Sequence, residues 1–388
     1  MKTKRILSIL LAAALLLTLW LPVSAADKTY KNVIIMIGDG MGENHLHLAE
    51  QYGHTLFMNT QFDLRGQSRT RSLSHDITDS AAGGTALSCG VRIINQTVAV
   101  YGSEPLGEFY CPVSITEAAV EHGMRTGVVT TDKNTGATPA SFTVHALYRK
   151  QYEKISNLQL ETPFDLIWGA SDGYITPESA AEHGFTYVGN KEEMQQLKPG
   201  SRSFGQFNGE FWRETVPEDC DAPNLAEMTV KSIELLNKGN DNGFFLMVEG
   251  AHIDKSSHRS NDNKPDFDNK RESVVDAVLG FDNAIKAAVE FARKDGHTVV
   301  LVTADHETGS LLKDKDGVYR FHTDEHTCNN VPVFVFGATD LFKRGAKIAN
   351  YTIPRRLTKL LGWDKKDFPR MQDGPTTAKV RSKLSRAA

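Results

Sequence analysis

Four apolar runs stand out along the chain: NVIIMIG at 32–38, GFFLMVEG at 243–250, HTVVLVT at 297–303 and VPVFVFG at 331–337. Short and mostly β-branched or aromatic, they predict strands buried on both faces, as in parallel sheets. Arg125–Thr131 predicts another strand, and DLIWGASDGYI at 165–175 holds a further core candidate. Residues 271–295 follow a different rhythm. Val274, Val278, Phe281, Ile285, Ala288 and Ala292 recur every three or four positions, which predicts one face of an amphipathic helix leading into the strand at 297. Helical stretches are also expected from Ser80, over Ile115–His122, from Thr138 through ATPASFTVHALY, and around Ile353–Leu361. Strand and helix alternate, so the expected fold is α/β: a doubly wound, mostly parallel central sheet flanked by helices. Residues 150–240 are less periodic and rich in polar and turn residues. They are expected to form a small cap or rim region inserted within a single domain, 26–364.

The ends of the chain read differently from its middle. Lys2, Lys4 and Arg5 precede a Leu/Ala-rich run that stops at Pro22 and Val23-Ser24-Ala25, the pattern of a secretory signal peptide (residues 1–25) cut after Ala25. An uncleaved anchor is the alternative, since the run nears the roughly 20 residues that span a bilayer; Pro22 and the small residues after it favour cleavage. The expected location is therefore secreted, periplasmic or cell-envelope associated, with no stable membrane insertion after cleavage. From Lys365 onward seven basic residues face two acidic ones, which predicts a solvated, flexible basic tail over 365–388. A net charge of −4 gives no reason to expect a specific nucleic-acid partner. Cys89, Cys111, Cys220 and Cys328 suit an oxidising compartment and allow three complete pairings, among which the sequence does not choose.

Polar residues cluster where the apolar runs end, and open α/β sheets collect ligands at strand carboxyl ends. Asp39 closes the first run between Gly38 and Gly40, and Glu249 closes the second. An acid buried at a strand end is unfavourable unless it is paired or bound to a metal. Asp254 and His258 are four apart, hence on one helical face, while Asp305-His306 follows the third run and His326 precedes the fourth. Carboxylates mixed with imidazoles suit zinc; carboxylates with a threonine hydroxyl suit magnesium. Ser80, in TDSAAGGTA, stands at an expected helix amino terminus, where backbone N–H groups favour negative charge. Arg149 offers a fork that could hold two phosphate oxygens. Taken singly, each residue reads more readily as a turn, a cap or a solvated side chain.

Together, TDSAAGGTA, EGAHIDKSSH and TADHETG resemble the bacterial alkaline phosphatases, and the resemblance spans nearly the whole chain after the signal. It implies a phosphate monoester hydrolase of broad range, working at alkaline pH through a phosphoserine intermediate. Two Zn2+ ions and one Mg2+ are implied. Asp254, His258 and His326 would hold one zinc, and Asp39, Asp305 and His306 the other. Asp39, Thr138 and Glu249 would hold the magnesium. Ser80 would be the nucleophile and Arg149 the phosphate clamp, with small phosphate monoesters as substrates.

Two departures qualify the resemblance. Many members carry Asp or His two residues before the magnesium threonine, where this chain has Gly136, and Lys255 after Asp254 reads equally as a phosphate contact through water or as a solvated lysine. The chain is also shorter than larger members, which weakens the expectation of a homodimer. Two rival readings are a phosphodiesterase built on the same two-zinc core and a noncatalytic phosphate- or metal-binding protein. The combination of Ser80, Thr138, Glu249 and Arg149 favours the monoesterase. Ala81-Ala82 after Ser80 disfavours a sulfatase.

Overall fold

A computed structural model describes residues 29–103, 108–258 and 267–372. The expected signal peptide and the tail beyond residue 372 lie outside the described residues. Ten strands form one sheet. In chain order they are β1 (Asn32–Gly38), β2 (Leu64–Arg69), β3 (Arg125–Lys133), β4 (Leu166–Ala170), β5 (Thr186–Val188), β6 (Ser203–Phe207), β7 (Phe244–Gly250), β8 (Thr298–Thr303), β9 (Val331–Phe336) and β10 (Lys347–Ala349). Their spatial order is β10-β2-β9-β8-β1-β7-β3-β4-β6-β5. Only β9 runs against its neighbours, pairing antiparallel with both β8 and β2. The sheet is thus the mostly parallel, doubly wound one that the apolar runs predict.

The runs at 32, 244, 298 and 331 are strands because their residues are buried on both faces, and alternate side chains enter two separate cores. The helices that build the site and its flanks are α1 (Ser80–Cys89), α2 (Ile115–Glu121), α3 (Ala137–Thr143), α4 (Leu225–Asn237), α5 (His252–Ser257), α6 (Phe267–Asp295) and α7 (Thr352–Leu360). Ile34, Met36, Leu246, Val248, Val300 and Val302 pack against α4 and α6. On the opposite face Val33, Ile35, Ile37, Phe245, Met247, Val299 and Leu301 meet Leu87 of α1, Ile115 of α2, Phe142 of α3 and Leu357 of α7. The six apolar positions predicted for the long helix are all buried.

Segment 150–240 supplies three parallel strands, β4, β5 and β6, to one edge of the sheet. Polar side chains sit inside this edge: Trp168 Nε1 donates to Ser203 Oγ at 2.9 Å, and Gln206 Nε2 to Asp172 Oδ1 at 2.9 Å. The helix expected through ATPASFTVHALY is much shorter. It ends at Thr143, where Val144 turns extended and Ala146 pairs with Val98 in an antiparallel bridge. Arg149 therefore lies in a turn beyond that bridge, its backbone N–H donating to Gln96 O at 2.8 Å. All four cysteines are free thiols.

Register decides where the site falls. Ile37 of β1 lies opposite both Glu249 of β7 and Thr303 of β8, and Thr130 of β3 lies opposite Glu249. The carboxyl ends of β8, β1 and β7 thus lie level, with β3 running two residues further, and Asp39, Glu249 and Asp305 emerge side by side.

Candidate active site

Ser80 occupies the first turn of α1, whose N-cap is Asp79, and its Oγ lies 3.1 Å from His306 Nε2. Asp79 was not singled out in the sequence, although an Asp directly before a helical stretch is a capping signal. Its Oδ1 accepts from the Ala82 N–H at 3.0 Å. Its Oδ2 accepts from the Gln96 N–H and from Arg149 Nη1, at 3.0 and 3.1 Å. One carboxylate therefore ties the serine turn to the arginine.

The histidines show what the pocket is built to hold. His258 Nδ1 lies against Asp324 O, and His326 Nδ1 is 3.0 Å from Thr78 O. A carbonyl only accepts, so each ring in its neutral form carries its proton on Nδ1 and turns an Nε2 lone pair inward, whereas His258 without a cation at hand takes a second proton on Nε2 toward Asp254. Those lone pairs face each other at 3.1 Å and lie 3.3 Å (His258) and 3.6 Å (His326) from Asp254 Oδ1. Thr308 spends its hydroxyl proton on Asp254, so its oxygen, 3.3 Å from His306 Nδ1, accepts from that nitrogen. His306 Nε2 is then also a lone pair, 3.4 Å from Asp39 Oδ1 and 3.3 Å from Asp305 Oδ2. Acceptors converge on acceptors. That arrangement calls for cations between them.

Ligand atoms of Asp254, His306 and His326 lie within 4.8 Å of one another, as do those of Asp39, Asp305 and His306. His306 belongs to both groups, and its ring stacks on His326 at 3.5 Å between centroids. The structure therefore brings His258 and both halves of the expected zinc pair into one pocket. Glu249 is fully buried; Thr130 donates to its Oε2, while Oε1 and Asp39 Oδ1 have no hydrogen-bond partner. Thr138 is buried with its hydroxyl 3.5 Å from Asp305 Oδ2. The oxygen-only set of Asp39, Glu249 and Thr138 fits a hard ion, and the mixed N/O sets fit zinc.

Charge crowding shows in the acids. Burial, then Asp305, Asp254 and Glu249, pushes Asp39 well above the carboxylate range. Burial and the Asp132 charge raise Glu249 to about 8, and burial with Asp254 raises Asp305 to about 6. Burial pushes Asp254 up too, but His258, His306 and His326 hold it below its usual range. Its hydrogen bond raises His258 to about 9. His306 is lowered by burial and by His326, and stays neutral.

A family model described as alkaline phosphatase matches residues 30–166 and 169–336. The chain belongs to the alkaline phosphatase family. It is 33% identical over 315 residues to alkaline phosphatase 4 of Bacillus subtilis, covering 76% of this chain and 65% of that one. Alkaline phosphatase 3 of the same organism is 34% identical, with 64% of its length covered, so the chain spans just under two thirds of these relatives. With the Escherichia coli alkaline phosphatase, identity is 30% over 360 residues, 76% of this chain and 73% of that enzyme. Among solved structures, the alkaline phosphatase of the Antarctic bacterium TAB5 superposes with a TM-score of 0.73 at 30% identity, over 87% of this chain and 100% of that one. A variant of that enzyme with a histidine changed to glutamate holds magnesium in its M3 site.

Proposed function

We propose that this family member hydrolyses phosphate monoesters by way of a phosphoserine on Ser80, with two zinc ions and one magnesium ion as cofactors. The observation that carries this reading is the convergence of Ser80 Oγ, Asp39 Oδ1 and Asp305 Oδ2 on the single nitrogen His306 Nε2. In a Ser-His-Asp relay the serine and the carboxylate bind opposite ring nitrogens, so that the acid orients the base. Here they share one nitrogen, which is the layout of a ligand set. His306 would serve one zinc with Asp39 and Asp305, while Asp254, His258 and His326 would serve the other. Asp39, Thr138 and Glu249 would take the magnesium.

When bound, the ions would supply the positive charge that lowers the serine pKa, stabilises the leaving oxygen and activates water. The chain's own groups do the rest. Arg149, braced by Asp79, holds two nonbridging oxygens of the monoester beside Ser80. Ser80 gives up its hydroxyl proton to solvent and its Oγ attacks phosphorus in line; the P–O bond to the alcohol breaks and the alcohol leaves with the bond's electrons, taking a proton from solvent. Water then attacks the phosphoserine, releasing phosphate and returning Ser80. The α1 amino terminus favours the negative charge on Oγ throughout. Ser80 attacks as its alkoxide, so the working form is expected at alkaline pH. Among the described residues no helix is long and apolar enough to cross a membrane, and the amino-terminal signal pattern supports export of a chain that works as one unit over 26–364.

The deciding experiment pairs an aryl phosphate monoester with a diester on protein of measured metal content, before and after chelation and after return of zinc plus magnesium. Monoester turnover abolished by chelation and restored by the ions is expected. Equal or faster diester turnover would favour the phosphodiesterase, and phosphate binding without turnover would favour a binding protein.

A further inference from the structure

Asp132, near the end of β3, has no role in the reading above, yet a single hydroxyl, that of Thr130, links it to Glu249. Its carboxylate fills the space in front of Gly136. A Cβ built on Gly136 would sit 2.3 Å from Asp132 Oδ2 and 2.8 Å from its Cγ, contacts that no side chain tolerates. Gly136 itself has φ −53° and ψ 151°, open to any residue, so this glycine is required for room and not for conformation. Where a side chain two residues before Thr138 would reach into the site, this chain reaches in from four residues further upstream.

The acid is held in place from three sides. Its own N–H donates to Thr130 Oγ1 at 2.8 Å, and the same hydroxyl donates to Glu249 Oε2. The Lys133 N–H donates to Asp132 Oδ1 at 2.8 Å, and Lys255 Nζ donates to that oxygen as well. Both bonds fall on Oδ1, which leaves Oδ2, the oxygen in the Gly136 space, for something else. A second observation points independently to a cation: Glu249, fully buried and one hydroxyl away from Asp132, has an Oε1 with no partner at all.

We propose that Asp132 completes the third-ion site of this chain in place of residue 136, acting on a magnesium ion through its water shell and tethering Lys255 beside Asp254. The proposal rests on the phosphatase reading, specifically on its third ion. Magnesium keeps several waters and asks for carboxylates that order them. Asp132 is therefore a positioning residue. Outer-shell partners of this kind change metal affinity by roughly 10- to 100-fold.

The test uses the full-length zinc-loaded enzyme, titrated with MgCl2 by calorimetry, with zinc and magnesium counted by elemental analysis. Asp132→Ala and the isosteric Asp132→Asn should both weaken magnesium binding by roughly 10- to 100-fold while zinc content stays at the wild-type level. The double variant Asp132→Ala with Gly136→Asp should recover most of that loss, because the cleared space admits the new carboxylate. Lys255→Ala should leave magnesium affinity unchanged or tighter, since a neighbouring positive charge is gone. Wild-type magnesium affinity in both Asp132 variants would overturn the proposal, and so would a Lys255→Ala loss as large as theirs, which would mark the pair as a plain strut. A wild-type enzyme that binds zinc and turns over monoester but takes no magnesium would also overturn it, while leaving the phosphatase reading standing.

Discussion

At the scale of single residues, two side chains should separate the reaction's steps. Ser80→Ala removes the oxygen proposed to carry the phosphoryl group, so acid-quenched enzyme should trap no phosphoserine, and turnover should fall by roughly four orders of magnitude or more. Near-normal monoester turnover in that variant would remove Ser80 from the mechanism. Arg149→Ala should act differently on different substrates. Two charge-assisted bonds from its fork to a dianionic monoester would be worth about 3–6 kcal/mol together, or roughly 150- to 25,000-fold in kcat/KM, whereas a diester has one charged oxygen fewer and should lose less. Equal losses on both would argue against a clamp. The motif resemblance names these residues, and Ser80 also stands at an expected helix start, where an α/β fold puts its chemistry. It does not name Asp79, Thr130, Asp132 or Thr308, whose roles depend on partners 70, 119, 123 and 54 positions away. Nor does it show the tautomers: that all three Nε2 atoms face acceptors follows only from the carbonyl and hydroxyl groups behind them.

Among the elements, α1 explains why TDSAAGGTA is made of small residues. The whole helix is buried, and a Cβ on Gly83 would come 2.8 Å from the Asp305 backbone oxygen and 3.1 Å from its Cβ. The glycine lets α1 lie directly against the chain leaving β8, which is what brings Ser80 within reach of His306. Gly83→Ala should therefore push the two apart. Overpacking of this kind costs about 1–3 kcal/mol, and a displacement of even about 1 Å at a reacting centre can cost roughly 100-fold. We expect a drop of a few degrees in melting temperature together with at least a tenfold loss in kcat. Gly189→Ala, where the nearest atoms lie at an ordinary 3.5 Å, should change neither; a Gly83 variant as active as wild type would detach α1 packing from catalysis. Element boundaries were legible where a mostly apolar run is buried along its whole length, as in β1, β7 and β8. They were hidden where tertiary pairing overrides local preference: Val144 leaves α3 because the following residues bridge to Val98, while β5 is a three-residue edge strand and β6 carries buried Ser203 and Gln206 in place of an apolar run.

Across the whole molecule, the site's charge balance should appear in the pH dependence of folding. A group whose folded value is raised binds its proton more tightly when folded, so stability falls as pH climbs from the unfolded value to the folded one. Glu249 at about 8 and His258 at about 9 both act in this sense above neutrality, and Asp39, pushed up mainly by burial, and His145, where Glu117 outweighs burial, act in the same direction. The opposing groups, His306 and His45, are lowered by burial, and their effect is complete once pH passes the ordinary histidine value of about 6.5. Between about pH 7 and pH 9 the metal-stripped protein should therefore melt at progressively lower temperature. Bound cations replace those protons and act on the folded state only, so returning zinc and magnesium should raise the melting temperature more at pH 9 than at pH 7. Scanning calorimetry on stripped and reloaded protein across that range measures both slopes. A stripped protein whose melting point is flat or rising there, or an ion-induced increment that shrinks with pH, would mean that the convergent acceptors around His306, His258 and Asp254 are held apart by protons or hydrogen bonds and not by metal.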